Sequence, residues 1–469
     1  MFLKYNWVNW VITIIVFSAT RRAQKARYRS LSRKWRTQPV KPISISAFQQ
    51  FFELKLLTLA GNFFDNYERH FDNEGTHTHQ TSFLGKGIVI TKSPKNGIFV
   101  VECERWKHLR KILKPQFMRE QTSRVNMLEP QIQVLMNLID LQQGGSFNIQ
   151  RLFHKLTMDA STHFLFEFDL PNTSLDLEEF QKRIIFVHYL LFVQEYQFFR
   201  NSLEFRKSIV NVHEFKMHAI ERILQLRKRK GASETTLLYV FLDKHMEVTT
   251  DSEVLRDEAL NIMLAGRSTT ASLLLSIFYE LSRNPEIWAK LRAEIIELFG
   301  KGKLPEELAT LTFESFKRCV YLWNVINETL RLYPPLLLNL RKAIQDKYLH
   351  QGEGSNEEDP CLINKGEYVP LHVYFMHRLE DIFGHNADVY NPDRWTSIYS
   401  KVGSAFMPFV TGPRVCLGQQ YALTEASYAT VRLMQMFTNI ESHNCTAYPP
   451  PKRITATLQF SDCVHVALS

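Results

Sequence analysis

A long helix is predicted in the middle of the chain. Residues 250–253, Thr-Asp-Ser-Glu, have the pattern of a capping box, and apolar residues then recur at helical spacing as far as Arg283. Asn284-Pro285 ends the stretch, because proline lacks the amide hydrogen that a helix interior needs. A helix of about 33 residues is about 50 Å long, which is enough to cross a whole domain.

The centre of this helix has an unusual composition. Leu264–Thr270 is Leu-Ala-Gly-Arg-Ser-Thr-Thr, and glycine and threonine are weak helix formers. One interpretation is a local flaw that tertiary packing tolerates. The other is a widened turn at which a ligand meets the backbone.

The remaining pattern predicts a mainly α fold with a few short strands. Further helices are expected around Trp106 and Arg110 as far as about Pro115, at Leu322–Leu332 and at Gln419–Met436, and β-like segments at Gly87–Thr91 and Tyr368–Tyr374. No long Gly/Ser-rich or Pro-rich linker divides the chain. One large domain after a short N-terminal appendage is therefore the simplest interpretation.

The net charge of +9 comes from one N-terminal cluster. Residues 1–36 contain nine Lys and Arg and no Asp or Glu, and the rest of the chain has 48 residues of each sign. Because the folded body is balanced, it has no excess of basic residues for binding nucleic acid. No nucleic-acid partner is expected.

The basic cluster follows an apolar run, Trp7–Ala19. As a helix this run covers about 20 Å, and extension over residues 1–20 reaches a hydrocarbon core of about 30 Å if Lys4 snorkels to the interface. Basic residues after such a run keep the remaining chain in the cytosol. We expect a membrane anchor at residues 1–20, a basic linker at 21–45 and a folded domain at 46–469. The alternatives are a cleaved signal peptide, whose charge should precede the apolar run, and a helix that lies in the membrane interface.

Cysteine use points to one position. The six cysteines, at 103, 319, 361, 416, 445 and 463, form no CxxC pair and no regular framework, which fits reduced thiols in a cytosol-facing protein. Cys416 alone lies in a distinctive context. It follows Phe-Val-Thr-Gly-Pro-Arg-Val at residues 409–415 and precedes Leu417-Gly418 and a predicted helix.

Each residue of this motif suits a metal-bound thiolate. A thiol at a helix N-terminus has a lowered pKa. Gly412 permits a tight turn, and Gly418 permits the close approach of a flat cofactor. Arg414 offers a bidentate partner for a carboxylate, and Phe409 can shield the sulfur. An iron porphyrin with a cysteine ligand and two propionates needs all of these.

The motif resembles the haem-binding signature of the cytochrome P450 family, Phe-x-x-Gly-x-Arg-x-Cys-x-Gly. Four weaker patterns stand in the family's order. Glu328-x-x-Arg331, by itself an ordinary i, i+3 ion pair, resembles the ExxR pair. The others are Trp106-x-x-x-Arg110, which resembles a propionate-binding helix, Ala265–Thr270, which resembles the oxygen-binding groove, and Pro392–Trp395, which resembles the PERF segment. Together they cover about residues 85–465.

The resemblance implies a fold, a cofactor and a site. The fold is mainly α, a large helical domain around haem b with a small β-rich region, here preceded by a membrane anchor. The implied iron ligand is Cys416. Propionate contacts are implied for Trp106, Arg110 and Arg341, further haem contacts for Phe409, Gly412, Arg414 and Gly418, a structural cluster for Glu328, Arg331 and Arg394, and roles in dioxygen and proton handling for Thr269 and Ser268.

The implied activity is a monooxygenase that inserts one oxygen atom of O2 into a C–H bond. No flavin or nucleotide fingerprint is apparent in the chain, so electrons are expected from an NADPH-cytochrome P450 reductase on the same endoplasmic reticulum membrane. Lys107, Lys111, Lys114 and Arg414 form either part of its docking face or a solvated charged surface.

Three segments resemble the fungal alkane and fatty-acid ω-hydroxylases more specifically: Ala259–Arg267, Tyr374–Arg378 and Leu417–Tyr428. This implies an apolar substrate, a long aliphatic chain or another lipid-like or secondary metabolite. Two further functions remain open. One is a haem-thiolate isomerase or dehydratase that acts on a peroxide without a reductase, and the other is a catalytically decayed membrane haem protein.

The chain departs from the pattern at three places. Ser268 stands where the family usually has Asp or Glu, and Thr411 where the subgroup usually has a second Gly. A helix and loop that the subgroup normally carries over its substrate is missing between residues 91–96 and 97–99. Retention of Thr269 and of the whole Cys416 motif argues against the two alternative functions.

Overall fold

The structure is a computed structural model, and it describes residues 103–117, 125–166, 252–353, 359–443, 448–454, 457–460 and 463–469. The predicted anchor, the basic linker, the β-like segment at 87–91 and the site of the missing segment lie outside these residues. So does the boundary predicted at residue 46.

Helices dominate the described part of the chain. They are α1 (Cys103–Leu113), α2 (Glu129–Asp140), α3 (Ile149–Phe166), α4 (Ser252–Arg283), α5 (Pro285–Phe299), α6 (Pro305–Ala309), α7 (Phe313–Phe316), α8 (Val320–Leu332), α9 (Val373–Met376), α10 (Glu380–Phe383), α11 (Trp395–Ile398) and α12 (Gln419–Met436). Short 3-10 turns occur at Lys114–Phe117, Val125–Leu128, Pro392–Arg394, Gly403–Ala405 and Gly412–Arg414.

The strands are short. They are β1 (Phe147–Asn148), β2 (Leu338–Lys342), β3 (Lys347–Glu353), β4 (Asp359–Ile363), β5 (Tyr368–His372), β6 (Ile440–Ser442), β7 (Lys452–Ile454), β8 (Leu458–Phe460) and β9 (His465–Leu468). β9 lies between β1 and β6, antiparallel to both, and β7 pairs with β8 in an antiparallel hairpin. β2 pairs with β5, and β3 pairs antiparallel with β4.

The chain forms two compact units. The smaller contains residues 338–371, with β2, β3, β4 and most of β5, together with residues 1–89. The larger contains residues 90–337 and 372–469 and therefore all the helices above. The predicted combination of a mainly α body with a minor β content is confirmed.

Helix α4 is the core of the larger unit. Its second half is buried around the helix because almost every residue there is apolar or small, including Ala271, Leu274, Ile277 and Phe278, and it packs against α3, α8 and α12. Within it, Asn261–Arg283 is the one described stretch long and apolar enough to cross a membrane, and it is mostly buried inside the fold.

The predicted helix boundaries agree closely with the structure. α4 ends at Arg283 and α5 begins at Pro285, α12 has both predicted bounds, and α8 begins two residues before the predicted Leu322. The segment predicted as β-like at 368–374 is a strand only to His372, after which the chain turns into α9.

Of the two interpretations of the centre of α4, the structure favours the packed helix, because α4 is a continuous α-helix through residues 264–270. The Thr269 hydroxyl donates a hydrogen bond to the Ala265 carbonyl at 2.6 Å. A side chain that bonds back to the preceding turn satisfies its own polar group without opening the helix.

Candidate haem-thiolate site

The Cys416 loop presents its thiol at the beginning of α12. The Cys416 amide donates to the Phe409 carbonyl at 3.0 Å, and the Val415 amide donates to the Gly412 carbonyl at 3.0 Å. Gly412 has a φ of 76°, a left-handed conformation that favours glycine. The loop is thus closed on itself, and the Cys416 side chain is exposed.

A strained residue lies inside this loop. Val410 has a φ of 62°, which is unfavourable for a β-branched residue. Its amide donates to the Met407 carbonyl, and the Met407 amide donates to Nε2 of His377, both at 3.0 Å. Burial lowers the pKa of His377 to about 3, so the ring is neutral and accepts this bond. Sequence reasoning missed both residues, although the departure at Thr411 adjoins the strained position.

Opposing effects set the pKa of the Cys416 thiol. Burial raises it, whereas the Gly418 amide and the charge of Arg110 lower it. The pKa is raised overall. The predicted lowering at the helix N-terminus is therefore present as one contribution and is outweighed by burial. A bound metal cation would supply the missing stabilisation, since a coordinating thiol is deprotonated.

Two guanidinium groups lie beside the loop. Nη1 of Arg110 donates to the Val415 carbonyl at 3.0 Å. The guanidinium carbons of Arg414 and Arg110 lie 4.1 and 5.4 Å from the centre of the Trp106 ring. Because guanidinium groups bind carboxylates bidentately, this cluster suits the carboxylate groups of a cofactor at Cys416.

Glu328, Arg331 and Arg394 form a buried cluster. Glu328 and Arg331 are both 0% exposed, so this i, i+3 pair is buried and is not an ordinary surface ion pair. Arg331 donates to both Glu328 oxygens at 2.8 Å, and Nε of Arg394 donates to Oε1 of Glu328 at 3.3 Å. Arg331 also donates to the carbonyls of His377 at 2.9 Å and Ala387 at 2.5 Å. The cluster thus holds the segment after α9 against α8.

Five of the predicted positions make fewer contacts with the residues described above. Ser268 and Thr269 are half-buried on α4, and Phe409 is half-buried in the loop. A Cβ atom at Gly418 would lie 3.9 Å from the Phe117 ring, in ordinary van der Waals contact. Arg341 belongs to the smaller unit, where Nη1 donates to Asn339 and to the Leu340 carbonyl. Its propionate contact stays a prediction.

Sequence reasoning missed a buried acid on α12. Glu425 is 1% exposed and faces Thr270 of α4. Burial raises the pKa of Glu425 to about 8, and the Thr270 hydroxyl opposes this shift. Neither carboxyl oxygen makes a hydrogen bond of standard geometry with the described residues. The only signal in the sequence was an acidic residue inside an otherwise uncharged stretch of helix. The carboxyl of Glu425 is mostly protonated near neutral pH, and Thr270, which it faces, is the sequence neighbour of Thr269.

The residues present fit a haem. Cys416 would supply the thiolate ligand, and Arg110 and Arg414 would supply charge for the propionates. The class of protein that these features define is a haem-thiolate protein. The family model described as "Cytochrome P450" matches residues 66–456, and the chain belongs to the cytochrome P450 family.

Curated relatives are more specific. The chain is 37% identical to Cytochrome P450 52A12 of Debaryomyces hansenii, over 89% of this chain and 90% of the relative. It is 42% identical to Cytochrome P450 52A6 of Candida tropicalis, over 80% and 74% of the two chains, and 38% identical to Cytochrome P450 52A3-B of Candida maltosa, over 87% and 86%. The predicted family and its resemblance to the fungal alkane and fatty-acid hydroxylases are confirmed. The protein is a monooxygenase that uses haem b, O2 and electrons derived from NADPH.

The alignment with the Debaryomyces hansenii relative has 470 positions. It includes only 89% of this 469-residue chain, so some of its positions are gaps in this chain. The relative therefore has residues that this chain lacks. This agrees with a missing segment, and its place between residues 91 and 99 stays a prediction.

Proposed function

We propose that this cytochrome P450 hydroxylates a long aliphatic or lipid-like substrate at or near its end, with electrons from an NADPH-cytochrome P450 reductase. The balanced reaction converts R–H, O2, NADPH and a proton into R–OH, water and NADP⁺. The observation that carries the chemistry is the exposed Cys416 thiol at the start of α12 with Arg110 and Arg414 beside it. The substrate class rests on the resemblance of three segments and on the relatives above.

The chain's own residues have distinct roles in this proposal. Cys416 would ligate the iron, and Trp106, Arg110 and Arg414 would hold the propionates. When bound, the haem supplies the oxygen-insertion chemistry, which a thiolate ligand favours by donating electron density. The Thr269 hydroxyl, which donates to Ala265, holds a proton at the oxygen groove. Glu425 of α12, which faces Thr270 beside Thr269, is a second proton-holding group.

The test is a carbon-monoxide difference spectrum of the reduced protein, followed by NADPH oxidation with a reductase and either dodecane or dodecanoic acid. A thiolate spectrum with reductase-dependent hydroxylated product supports the proposal. A thiolate spectrum, turnover of a lipid peroxide and no turnover with the reductase would together support the isomerase or dehydratase. Haem binding without any turnover supports the decayed protein.

The proposed reductase partner fits a basic face on α1. Lys107, Lys111 and Lys114 are exposed, as is Arg414 in the Cys416 loop. Residues at spacings of four and three lie on one face of a helix, and Lys107 also pairs with Glu104 at 2.6 Å. A cluster of like charges at the thiolate side attracts a partner of opposite charge and speeds association.

Protease treatment tests the proposed topology. If residues 1–20 are a single anchor and the basic cluster stays in the cytosol, protease added outside sealed microsomes will digest the whole domain. The measurement is an immunoblot with an antibody against the C-terminal region, with a lumenal marker protein as the control. Protection of the domain while the marker is also protected would overturn the topology.

Ser268→Asp is expected to raise the yield of product per NADPH consumed several-fold. An acid at this position would relay protons to the oxygen groove, and general acid–base help is worth about 10²–10⁴-fold in rate. Serine passes protons along hydrogen bonds but is no acid at neutral pH. The matched control is Ser268→Asn, which has similar volume and no acidic proton.

Equal coupling in the wild type, Ser268→Asp and Ser268→Asn, at equal haem content, would contradict a proton relay through position 268. In that case Ser268 packs against its neighbours and another group supplies the proton. The buried carboxyl of Glu425 beside Thr270 is the described group that suits this task.

A further inference from the structure

A buried carboxyl connects three elements at the end of α4. Glu280 is 0% exposed. It accepts hydrogen bonds from the hydroxyls of Tyr333 at 2.5 Å and Tyr448 at 3.4 Å, and from Nδ2 of Asn284 at 3.3 Å. Tyr333 directly follows α8, and Tyr448 precedes β7. One carboxyl therefore links the long helix to the end of α8 and to the chain that leads into the β7–β8 hairpin.

The hairpin is attached to the same helix near the oxygen groove. The Ser272 hydroxyl donates to the Leu458 carbonyl at 2.6 Å, and the Leu458 amide donates to the Pro335 carbonyl at 2.9 Å. The ring of Phe460 packs on Tyr279 and Tyr333, with ring centres 4.7 and 5.5 Å apart. Since Ser272 is less than one helical turn from Thr269, the start of β8 adjoins the groove in which the proposed reaction occurs.

The groups around Glu280 stabilise its ionised form too weakly to offset burial. Burial raises the pKa of Glu280 to about 7, while hydrogen bonds from Tyr333, Tyr448 and Asn284 and the charge of Arg283 lower it without offsetting burial. The guanidinium of Arg283 lies over the rings of Tyr279 and Tyr448 rather than on the carboxyl. Among the described residues, Tyr279 and Tyr390 also interact with the carboxyl, and Tyr390 is itself buried against Thr329. The carboxyl therefore titrates in the neutral range.

We propose that Glu280 is a positioning residue that holds the β7–β8 hairpin against α4 while its carboxyl is neutral and loosens it when the carboxyl ionises. The role in substrate placement rests on the proposed function, whereas the hold on the hairpin does not. As the pH rises, the wall beside Thr269 becomes less rigid and the position of a long substrate becomes less defined.

Protonation of Glu280 and opening of the β7–β8 hairpin are thermodynamically linked. In the closed fold the pKa is about 7, above the ordinary value of 4.5, so the closed state binds the proton more tightly than an opened, hydrated state does. The stabilisation of the closed state is complete below the ordinary value and is lost as the pH rises through 7. With these two values, the equilibrium constant for opening increases about tenfold between pH 6 and pH 8.

Hydrogen exchange measures this opening directly in the haem-loaded enzyme. The informative amides are those of Leu458, which bonds to Pro335, and of Phe460, which pairs with Lys452. After correction for the intrinsic pH dependence of exchange, we expect about a tenfold rise in opening from pH 6 to pH 8 in the wild type and no change in Glu280→Gln, whose amide never ionises.

The matched control is Glu294→Gln, which removes a carboxylate that accepts the Val320 and Tyr321 amides at the other end of α8. It should keep the tenfold rise. A flat wild-type profile, or the same rise in Glu280→Gln, would overturn the proposal. Should Glu280→Gln fail to fold, Asn284→Ala serves instead: it removes a hydrogen bond that lowers the pKa of Glu280 and leaves the Tyr448 link intact, so the midpoint of the rise must move to higher pH.

Product distribution from dodecane, a substrate without a titratable group, tests the consequence for catalysis. The share of 1-dodecanol among the alcohols should fall between pH 6 and pH 8 in the wild type and stay constant in Glu280→Gln. Alcohol formation with unchanging shares and flat exchange profiles contradicts the role of Glu280 and leaves the proposed function standing. The expected exchange profiles without any alcohol contradict the proposed function and leave the hold on the hairpin standing.

Discussion

Cys416→Ser will lose the carbon-monoxide difference spectrum of a haem-thiolate protein, and its NADPH-dependent hydroxylation will fall to background. A serine hydroxyl is a weak donor that stays protonated at neutral pH, so it supplies none of the electron density by which a thiolate ligand favours O–O cleavage. The loop itself should survive, because the backbone bonds from Cys416 to Phe409 and from Val415 to Gly412 involve no thiol.

The control is Cys463→Ser, at the other exposed free cysteine of the described residues. It should retain the spectrum and the activity, as should serine at positions 103, 319, 361 and 445. A normal thiolate spectrum in Cys416→Ser would contradict the ligand assignment. Loss of the spectrum in Cys463→Ser would show that thiol chemistry elsewhere in the chain affects haem binding.

Arg331→Lys will destabilise the larger unit by about 3–5 kcal/mol, the usual result of breaking a buried ion pair. Lysine keeps the charge but cannot donate at once to both Glu328 oxygens and to the His377 and Ala387 carbonyls, which Arg331 reaches. A domain is typically stable by only about 5–15 kcal/mol. Most of the variant should therefore fail to retain haem at growth temperature, and the protein that remains should unfold at a much lower urea concentration.

The surface offers a matched ion pair for comparison. Lys290 and Asp393 are 2.5 Å apart, with side chains 53% and 56% exposed, and Asp393 is adjacent to Arg394 of the buried cluster. Lys290→Gln should change stability by only about 0–1 kcal/mol, because exposed pairs are screened by water. Equal unfolding midpoints for Arg331→Lys and Lys290→Gln would show that the buried cluster does not contribute more to stability than an exposed ion pair.

Cys416→Ser and Arg331→Lys distinguish the loss of a haem ligand from the loss of fold stability. Cys416 contacts the rest of its loop through backbone atoms, so its replacement removes a ligand and little else. Arg331 touches no part of the Cys416 loop directly; it holds His377, whose ring accepts the Met407 amide and thereby supports the loop. Haem loss is thus expected in both variants, with a normal unfolding midpoint of the apoprotein only in Cys416→Ser.

The sequence alone predicted the elements and singled out a candidate ligand. The apolar spacing up to Arg283 and the Asn284-Pro285 break predicted α4 and its end, since helix periodicity and proline act locally. The ten residues at 409–418 identified Cys416, because a thiolate, two glycines and an arginine at fixed spacing serve one cofactor.

Tertiary structure alone decided the state of the charged groups. The i, i+3 spacing of Glu328 and Arg331 is by itself that of an ordinary surface pair, and only the family resemblance predicted their cluster with Arg394. Nothing local shows that Glu280 is buried, and for Glu425 the only local signal is its uncharged neighbourhood. The predicted lowering of the Cys416 pKa was likewise outweighed by burial. Protonation and strength of pairing depend on how many atoms of distant segments exclude water from a group, and that quantity exists only once the chain has folded.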